Sequence, residues 1–117
     1  MADDERSVFT RIIAREIPAD IVFENDRLIA FRDINPQATV HLLVVPKTEQ
    51  YHNVTELAAA DPALLAEIVA VAANLASAQS NGEYRLVFNT GATTGQTIFH
   101  VHAHLLSGAL EEGTLGR

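Results

Sequence analysis

The sequence predicts a single α+β domain in which two main helices accompany a five-stranded antiparallel sheet. The 117 residues suit one domain with one core, and a hydrophobic content of 48% argues against global disorder. Apolar residues recur at helical spacing in two segments and follow strand-like patterns in five others. The resulting order is helix, three strands, helix, two strands, which is typical of an α+β domain with an antiparallel sheet.

The first helix and the first three strands are predicted from residues 7–46. Ser7 is a suitable N-cap for a helix that runs to about Glu16, with Pro18 beyond its end. Two strands, residues 21–24 and 28–33, flank a turn-like link at residues 25–27. Residues 40–45 resemble a buried strand that Pro46 closes. Residues 47–60 are expected to hold a loop and a short helix after Asn53.

The second main helix begins at Asp61 and Pro62, an N-cap followed by proline at the first helical position. Leu64, Ile68 and Val71 then recur at helical spacing, and residues 81–82, Asn-Gly, end the helix. Residues 84–89 are predicted to form a strand and residues 90–97 a loop. A last strand is expected over residues 98–106, followed by an irregular tail from residue 108.

Three histidines at every second position dominate this last strand. His100, His102 and His104 alternate with apolar residues, which are Phe99, Val101, Ala103 and Leu105. Strict alternation is typical of a half-buried strand. The pattern therefore predicts that the apolar residues enter a core and that the three imidazoles share the opposite face, where the chemistry is expected.

Three interpretations of the histidine row remain open. The histidines could be structural, although three in register on one face are unusual. They could bind a metal, but His100 and His104 would lie about 13 Å apart on a strand, so only a pair joined by His41 or His52 could converge on one ion. The third interpretation is nucleophilic and acid–base catalysis, in which a neutral central imidazole attacks phosphorus while its neighbours offset charge and manage protons.

The loop before the last strand favours the catalytic interpretation. Residues 93–97, Thr-Thr-Gly-Gln-Thr, provide hydroxyl groups, a flexible glycine and several main-chain N–H groups. Such a loop can enclose a phosphate without Lys or Arg. The alternative is an ordinary Gly/Thr connection, and the loop gains weight because it leads directly into the histidines.

Composition excludes several function classes. A net charge of −7 argues against nucleic-acid binding, which needs stripes of Lys and Arg. The absence of cysteine excludes disulfides and Cys-type zinc sites. The acidic N-terminus is unlike a signal peptide, and no apolar run approaches the roughly 18 residues of a membrane helix. We expect a cytoplasmic protein that contacts neither membrane nor nucleic acid.

The motif His-φ-His-φ-His-φ-φ at residues 100–106, where φ is apolar, resembles the signature of the histidine triad (HIT) family of nucleotide-binding proteins. The likeness covers nearly the whole chain and is closest to the Hint branch. The other segments that carry it are residues 7–13, 16–18, 33–38, 41–47, 84–89 and 95–97.

This resemblance implies a HIT-like fold and a homodimeric hydrolase of purine nucleoside phosphoramidates or related adenylylated compounds. No cofactor is expected, and the absence of cysteine and the spacing of the histidines predict that no metal is bound. His102 would attack the α-phosphorus to form a nucleotidyl-histidine, and water would release a nucleoside monophosphate. The supporting catalytic residues would be His41, His100 and His104. Nucleotide contacts would come from the α-phosphate side (Asn89, Gly95, Gln96, Thr97), the ribose side (Asp33, Ile34, Asn35) and the base pocket (Phe9, Ile12, Phe31, with Ile34).

Two departures from the family pattern qualify these expectations. Many bacterial relatives have two cysteines in place of Ser7 and Thr10 that help bind a structural zinc, so no such zinc is expected here. The tail at residues 107–117 is short and lacks tryptophan, which leaves the leaving-group preference open. Alternative functions are a nucleotide-binding module with little turnover, a metal-dependent protein and a diadenosine-polyphosphate hydrolase. The homodimer is expected to form through the helix from residue 62 to about 80 and the strand at 84–89.

Overall fold

The computed structural model describes residues 5–112, and within that range the α+β prediction is confirmed. Three α-helices and a five-stranded antiparallel sheet are present. In chain order the elements are α1 (Val8–Ile13), β1 (Ile21–Glu24), β2 (Leu28–Arg32), β3 (Val40–Pro46), α2 (Val54–Ala60), α3 (Pro62–Gln79), β4 (Arg85–Val87) and β5 (Ala103–Ser107). One turn of 3₁₀-helix spans Ala92–Thr94.

The sheet has the strand order β1-β2-β3-β5-β4, with antiparallel pairing throughout. Strand β5 is therefore inserted between β3 and β4 rather than added at an edge. In the β3–β5 ladder His41 lies opposite Leu106, and His104 lies opposite Leu43. Since residues two apart on a strand share a face, His41 and His104 are diagonal neighbours on the same face of the sheet.

The two faces of the sheet bury different clusters. One face packs against α3, whose Leu64 and Ile68 meet inward residues of the strands that include Ala103 and Leu105. The other face packs against α1, whose Phe9 and Ile12 meet a second set from β2 and β3. That second set is Ile29, Phe31, Leu43 and Val45. Because His102 and His104 alternate with Val101, Ala103 and Leu105, they lie on the α1 side.

The predicted helix starts are confirmed by side-chain caps. Ser7, Asn53 and Asp61 each accept a hydrogen bond from the backbone N–H of the third residue that follows, at the start of α1, α2 and α3. The predicted end of α1 at Glu16 is wrong, because the helix stops at Ile13. Arg15 adopts a φ of +65°, a left-handed conformation that an α-helix cannot continue through.

The predicted extent of the last strand is also wrong. Pairing in β5 begins only at Ala103, and the N–H of Val101 donates to the carbonyl of Tyr51 instead of a strand partner. Two side chains therefore depart from the expected alternation: Phe99 is 52% exposed rather than in the core, and His100 is fully buried rather than on the open face. Strand β4 is likewise shorter than predicted and covers Arg85–Val87.

One helix in the described range, α3, is long and apolar enough to cross a membrane by length and composition alone, with 18 residues and a mean hydropathy of 1.3. This finding corrects the expectation that no apolar run approaches that length. Its buried residues, which include Leu64, Ile68 and Leu75, pack on the sheet, as those of a core helix in a globular domain do.

Candidate active site

Asp33, His41 and His104 form a compact cluster where β2 ends and β3 and β5 run side by side. The Nε2 atom of His41 lies 3.0 Å from Nδ1 of His104 and 3.4 Å from Oδ2 of Asp33. The Asp33 backbone N–H also donates to the His41 carbonyl, which holds the end of β2 against β3. The cluster thus joins residues that are separated by up to 71 positions in the sequence.

Hydrogen bonding shows which ring nitrogen carries the proton in His41 and in His104. The backbone N–H of Gln37 donates to Nδ1 of His41, at 3.0 Å, so the proton of a neutral His41 ring resides on Nε2. That Nε2–H then donates to Nδ1 of His104. His104 must accept at Nδ1, and its own proton therefore resides on Nε2, where it is available to another acceptor.

The same assignment argues against a metal ion in the cluster. One ligand atom each from Asp33, His41 and His104 lie within 4.8 Å of one another, so the distances alone would suit a metal. A metal would need the lone pair of His41 Nε2, but the bond from Gln37 places a proton there. His52, the other candidate ligand, is an exposed residue beside Glu56 rather than part of this cluster.

His102 lies beside His104, and one of its ring nitrogens is hydrogen-bonded to the backbone. Its Nδ1 is 2.8 Å from the carbonyl oxygen of His100, and a carbonyl can only accept, so the neutral ring carries its proton on Nδ1. Nε2 therefore has a free lone pair. The ring centroid lies 5.1 Å from that of His104 and 4.9 Å from that of Phe9, both in edge-on geometry.

Burial keeps the site histidines neutral. Loss of hydration lowers the pKa of His102, although the bond to the His100 carbonyl and the charge of Asp33 oppose the shift. Burial is also the main cause that lowers the pKa of His104, to about 4, and the pKa of His41. A neutral ring near pH 7 keeps its lone pair, which is the form in which imidazole is a nucleophile.

His100 differs from its two companions because its ring is a structural group. It is fully buried, with Nε2–H donating to the carbonyl of Pro46 at 2.7 Å and Nδ1 accepting from the hydroxyl of Ser7 at 2.5 Å. Burial lowers its pKa as well. The sequence pattern predicted three imidazoles on one open face, whereas in the structure only His102 and His104 lie in the candidate site and His100 is buried.

The loop before β5 is braced internally by Gln96. Its side-chain oxygen accepts from the Gly91 N–H, and its amide nitrogen donates to the carbonyls of His52 and Ile98. Gly95 follows the 3₁₀ turn with a φ of +101°, which suits glycine. Thr97 is exposed and lines a cavity of about 510 Å³ whose wall also includes Ser7 and Glu49. Half-buried Asn89 lies two residues beyond β4.

The apolar residues expected in a base pocket divide into two groups. Phe9, Ile12 and Phe31 are buried together in the cluster on the α1 side, where Phe9 contacts Phe31 at a centroid distance of 5.8 Å. Ile34 lies outside that cluster and is 89% exposed. It stands in the turn where the Asn35 N–H donates to Oδ1 of Asp33, so it borders the carboxylate rather than the buried aromatic rings.

Sequence reasoning missed Glu49, Gln37 and Pro46. Glu49 accepts from the Ser7 N–H at 2.6 Å, and this bond is the main cause that lowers the pKa of its carboxyl. Gln37 and Pro46 contribute only backbone groups to the site. No sequence signal marks a backbone contact, and Glu49 is 42 residues from its partner.

Comparisons with known proteins agree with the motif. Residues 6–117 match the family model described as scavenger mRNA decapping enzyme C-term binding. The chain is 42% identical over 106 residues to the purine nucleoside phosphoramidase of Escherichia coli K12, covering 89% of this chain and 88% of that protein. It is 48% identical over 105 residues to an uncharacterized HIT-like protein of Synechococcus elongatus, covering 89% and 91%.

Solved structures show the same likeness in three dimensions. A HIT family hydrolase from Legionella pneumophila superimposes with a TM-score of 0.84 at 43% identity and covers 90% of this chain and 95% of its own. One from Clostridium thermocellum gives a TM-score of 0.83 at 42% identity, with 91% and 93% covered. Its triad motif, its fold and these relatives together show that the chain belongs to the histidine triad family, in its Hint-like branch.

Proposed function

We propose that this protein hydrolyses purine nucleoside phosphoramidates or related adenylylated compounds, with His102 as the nucleophile. The single observation that carries the proposal is the state of the His102 ring. Its Nδ1–H is committed to the His100 carbonyl, which leaves the Nε2 lone pair for attack. The relative named purine nucleoside phosphoramidase supports the reaction class.

The reaction proceeds in two displacements at the α-phosphorus. In the first, His102 Nε2 forms a bond to phosphorus while the phosphorus–nitrogen bond to the leaving amine breaks, and the amine departs with an added proton. In the second, water attacks phosphorus and the bond to His102 breaks. The products are a nucleoside monophosphate and the neutral ring, and the proton released by water balances the one taken by the amine.

His104 and His41 supply hydrogen bonding to this centre. The Nε2–H of His104 is a donor for a phosphoryl oxygen, and His41 fixes that tautomer through its own bond to Nδ1. Asp33 lies behind His41, and its charge favours the protonated state of all three rings. Charge that develops during the transfer is thereby offset without Lys or Arg.

We propose nucleotide contacts on both sides of this centre. Asp33 accepts the ribose hydroxyls, a role that suits an acceptor-only carboxylate, with Ile34 and Asn35 in the same turn. The purine packs near Phe9, and the loop at residues 95–97 with Asn89 meets the α-phosphate. The bracing of Gln96 implies that its main role is to hold the loop in shape.

We also propose that the active form is a cytoplasmic homodimer. Helix α3 has an exposed apolar side on which Val69 is 42% exposed, and the alanines beside it allow close approach of a partner helix. Strand β4 is an edge strand of the sheet and can pair with its counterpart across a two-fold axis.

The decisive assay follows AMP release from an adenosine phosphoramidate. Wild-type protein should release AMP, His102→Ala should not, and His52→Ala should match the wild type because His52 is an exposed histidine outside the cluster. Both variants should bind AMP with similar affinity. If the wild type binds AMP but does not turn over, the chain is a nucleotide-binding module. Preferential cleavage of a diadenosine polyphosphate would also overturn the proposed substrate class.

A further inference from the structure

We propose that Ser7, the N-cap of α1, is a positioning residue for the His102 nucleophile and acts through the buried ring of His100. The inference rests on the proposed function and assigns a role to a residue outside the histidine motif. Ser7 contacts neither the reacting nitrogen nor the Asp33–His41–His104 cluster in the described structure. Its effect passes through two hydrogen bonds and one peptide group.

Sheet pairing does not hold the peptide that orients His102. The carbonyl that accepts from His102 Nδ1 belongs to His100, and β5 pairs with β3 only from Ala103 onward. The neighbouring Val101 N–H bonds to the Tyr51 carbonyl, in the loop before α2. That N–H belongs to the same planar peptide group as the His100 carbonyl, so the direction of the carbonyl is set jointly by this bond and by the anchoring of the His100 side chain.

The His100 ring is anchored at both nitrogens. Nε2–H donates to the carbonyl of Pro46 at the end of β3, and Nδ1 accepts from the Ser7 hydroxyl at 2.5 Å. The ring is fully buried. Removal of the Ser7 donor would leave a buried acceptor without this partner, a costly state that favours a shift of the segment.

Ser7 is itself held in place by two backbone hydrogen bonds. Its N–H donates to Oε1 of Glu49 at 2.6 Å, and its hydroxyl oxygen accepts from the Thr10 N–H at 3.0 Å. Nδ1 of His100 must accept and lies 2.5 Å from the Ser7 hydroxyl oxygen, closer than the Thr10 hydroxyl at 3.3 Å, so the hydroxyl proton is directed to His100. One serine thus caps α1 and fixes the ring that orients the nucleophile.

The same helix start also aligns the aromatic side of the site. Phe9 lies two residues after Ser7, and its ring contacts both His100, at a centroid distance of 5.6 Å, and His102, at 4.9 Å. A shift of α1 would move this ring against the nucleophile. Ser7 therefore couples the position of α1 to the position of His102.

A cap-only role and a positioning role are separated by three variants. Ser7→Gly removes the donor to His100 but costs only a few tenths of a kcal/mol as an N-cap. Ser7→Thr retains both the cap and the hydroxyl donor. Asp61→Gly makes the matched change at the N-cap of α3, remote from the histidines.

Steady-state AMP release is the first measurement. For Ser7→Gly we expect kcat to fall about tenfold or more, equivalent to about 1.4 kcal/mol, with KM within about threefold of wild type. Ser7→Thr should restore kcat, and Asp61→Gly should leave it unchanged. Equal kcat in Ser7→Gly and wild type would overturn the proposal. If Ser7→Gly does not fold, Ser7→Ala removes the same donor and takes its place.

Nitrogen-15 NMR of the histidine rings is the second measurement and does not depend on activity. The Nδ1–H proton of His102 should exchange with water at least about tenfold faster in Ser7→Gly than in wild type or Asp61→Gly, because its acceptor has moved. Unchanged exchange would overturn the positioning role. If the wild type released no AMP but this difference in exchange was present, the proposed reaction would be wrong, whereas the positioning of His102 by Ser7 through His100 would be supported.

Discussion

Acid should destabilise this protein through His104 in particular. Burial, together with repulsion from the His102 and His41 rings when these are protonated, lowers the pKa of His104 from 6.5 to about 4 in the folded protein. In the unfolded chain the ring has its ordinary pKa of about 6.5. Between these two pKa values the unfolded state binds a proton and the folded state does not, so the free energy of unfolding falls as the pH falls.

The loss of folding free energy follows from the difference between the two pKa values. In the pH range where His104 is protonated only in the unfolded state, each pH unit of acidification lowers the free energy of unfolding by about 1.4 kcal/mol. From pH 6.5 down to pH 4 the loss from His104 reaches about 3 kcal/mol, which is a large share of the stability of a small domain. Above pH 6.5 both states are neutral and the penalty vanishes, and below pH 4 it stays constant.

Urea unfolding at pH values from 7.5 to 4.5 measures this effect, with His104→Gln as the test variant and exposed His52→Gln as its control. The advantage of wild type over His104→Gln should shrink by about 2 to 3 kcal/mol across this range. The advantage over His52→Gln should shrink far less. Parallel stability curves for wild type and His104→Gln would refute the assignment of His104 as a buried neutral ring.

Three further predictions concern the ligand, metal dependence and assembly. Asp33→Ala should weaken ribonucleotide binding by roughly 1.5–3 kcal/mol and 2′,3′-dideoxynucleotide binding much less, as measured by calorimetry; equal losses would remove Asp33 from the ribose site. EDTA should leave the rate of AMP release unchanged, since His41 Nε2 holds a proton where a metal would bind; a rate that falls with EDTA and returns with zinc would contradict this. Light scattering at micromolar concentration should give about twice the single-chain mass of 12.7 kDa; a mass near the single-chain value would contradict the dimer.

Local sequence patterns predicted the parts of the fold that depend on local physics. Ser7 and Asp61 were predicted as caps, and a short helix was predicted after Asn53, because side chains of these types bond to the backbone N–H three residues on, as all three do. The alternation from Val101 to Ser107 placed the apolar residues of β5 correctly, since a strand face has a period of two. The end of α1 was missed because nothing in the sequence marks Arg15 for a positive φ.

The candidate site was predictable to the extent that it lies in one motif. The sequence identified all three triad histidines and His41, but it could not tell that His100 is buried. The partners of that ring are a carbonyl 54 residues away and a hydroxyl 93 residues away. Contacts between residues so far apart in the sequence leave no periodic pattern. Only the structure therefore shows that His100 is a buried anchor, whereas His102 and His104 lie in the site.

The central claim is that His102 forms a covalent bond to the nucleotide. Rapid mixing with excess adenosine phosphoramidate, acid-free quenching and mass spectrometry of the proteolysed protein test it directly. Wild-type protein should carry one adenylyl group, located by fragmentation on His102, and the group should appear and decay at rates that match turnover. Release of AMP at the full rate with no adduct, or with the adduct on His104, would contradict the account.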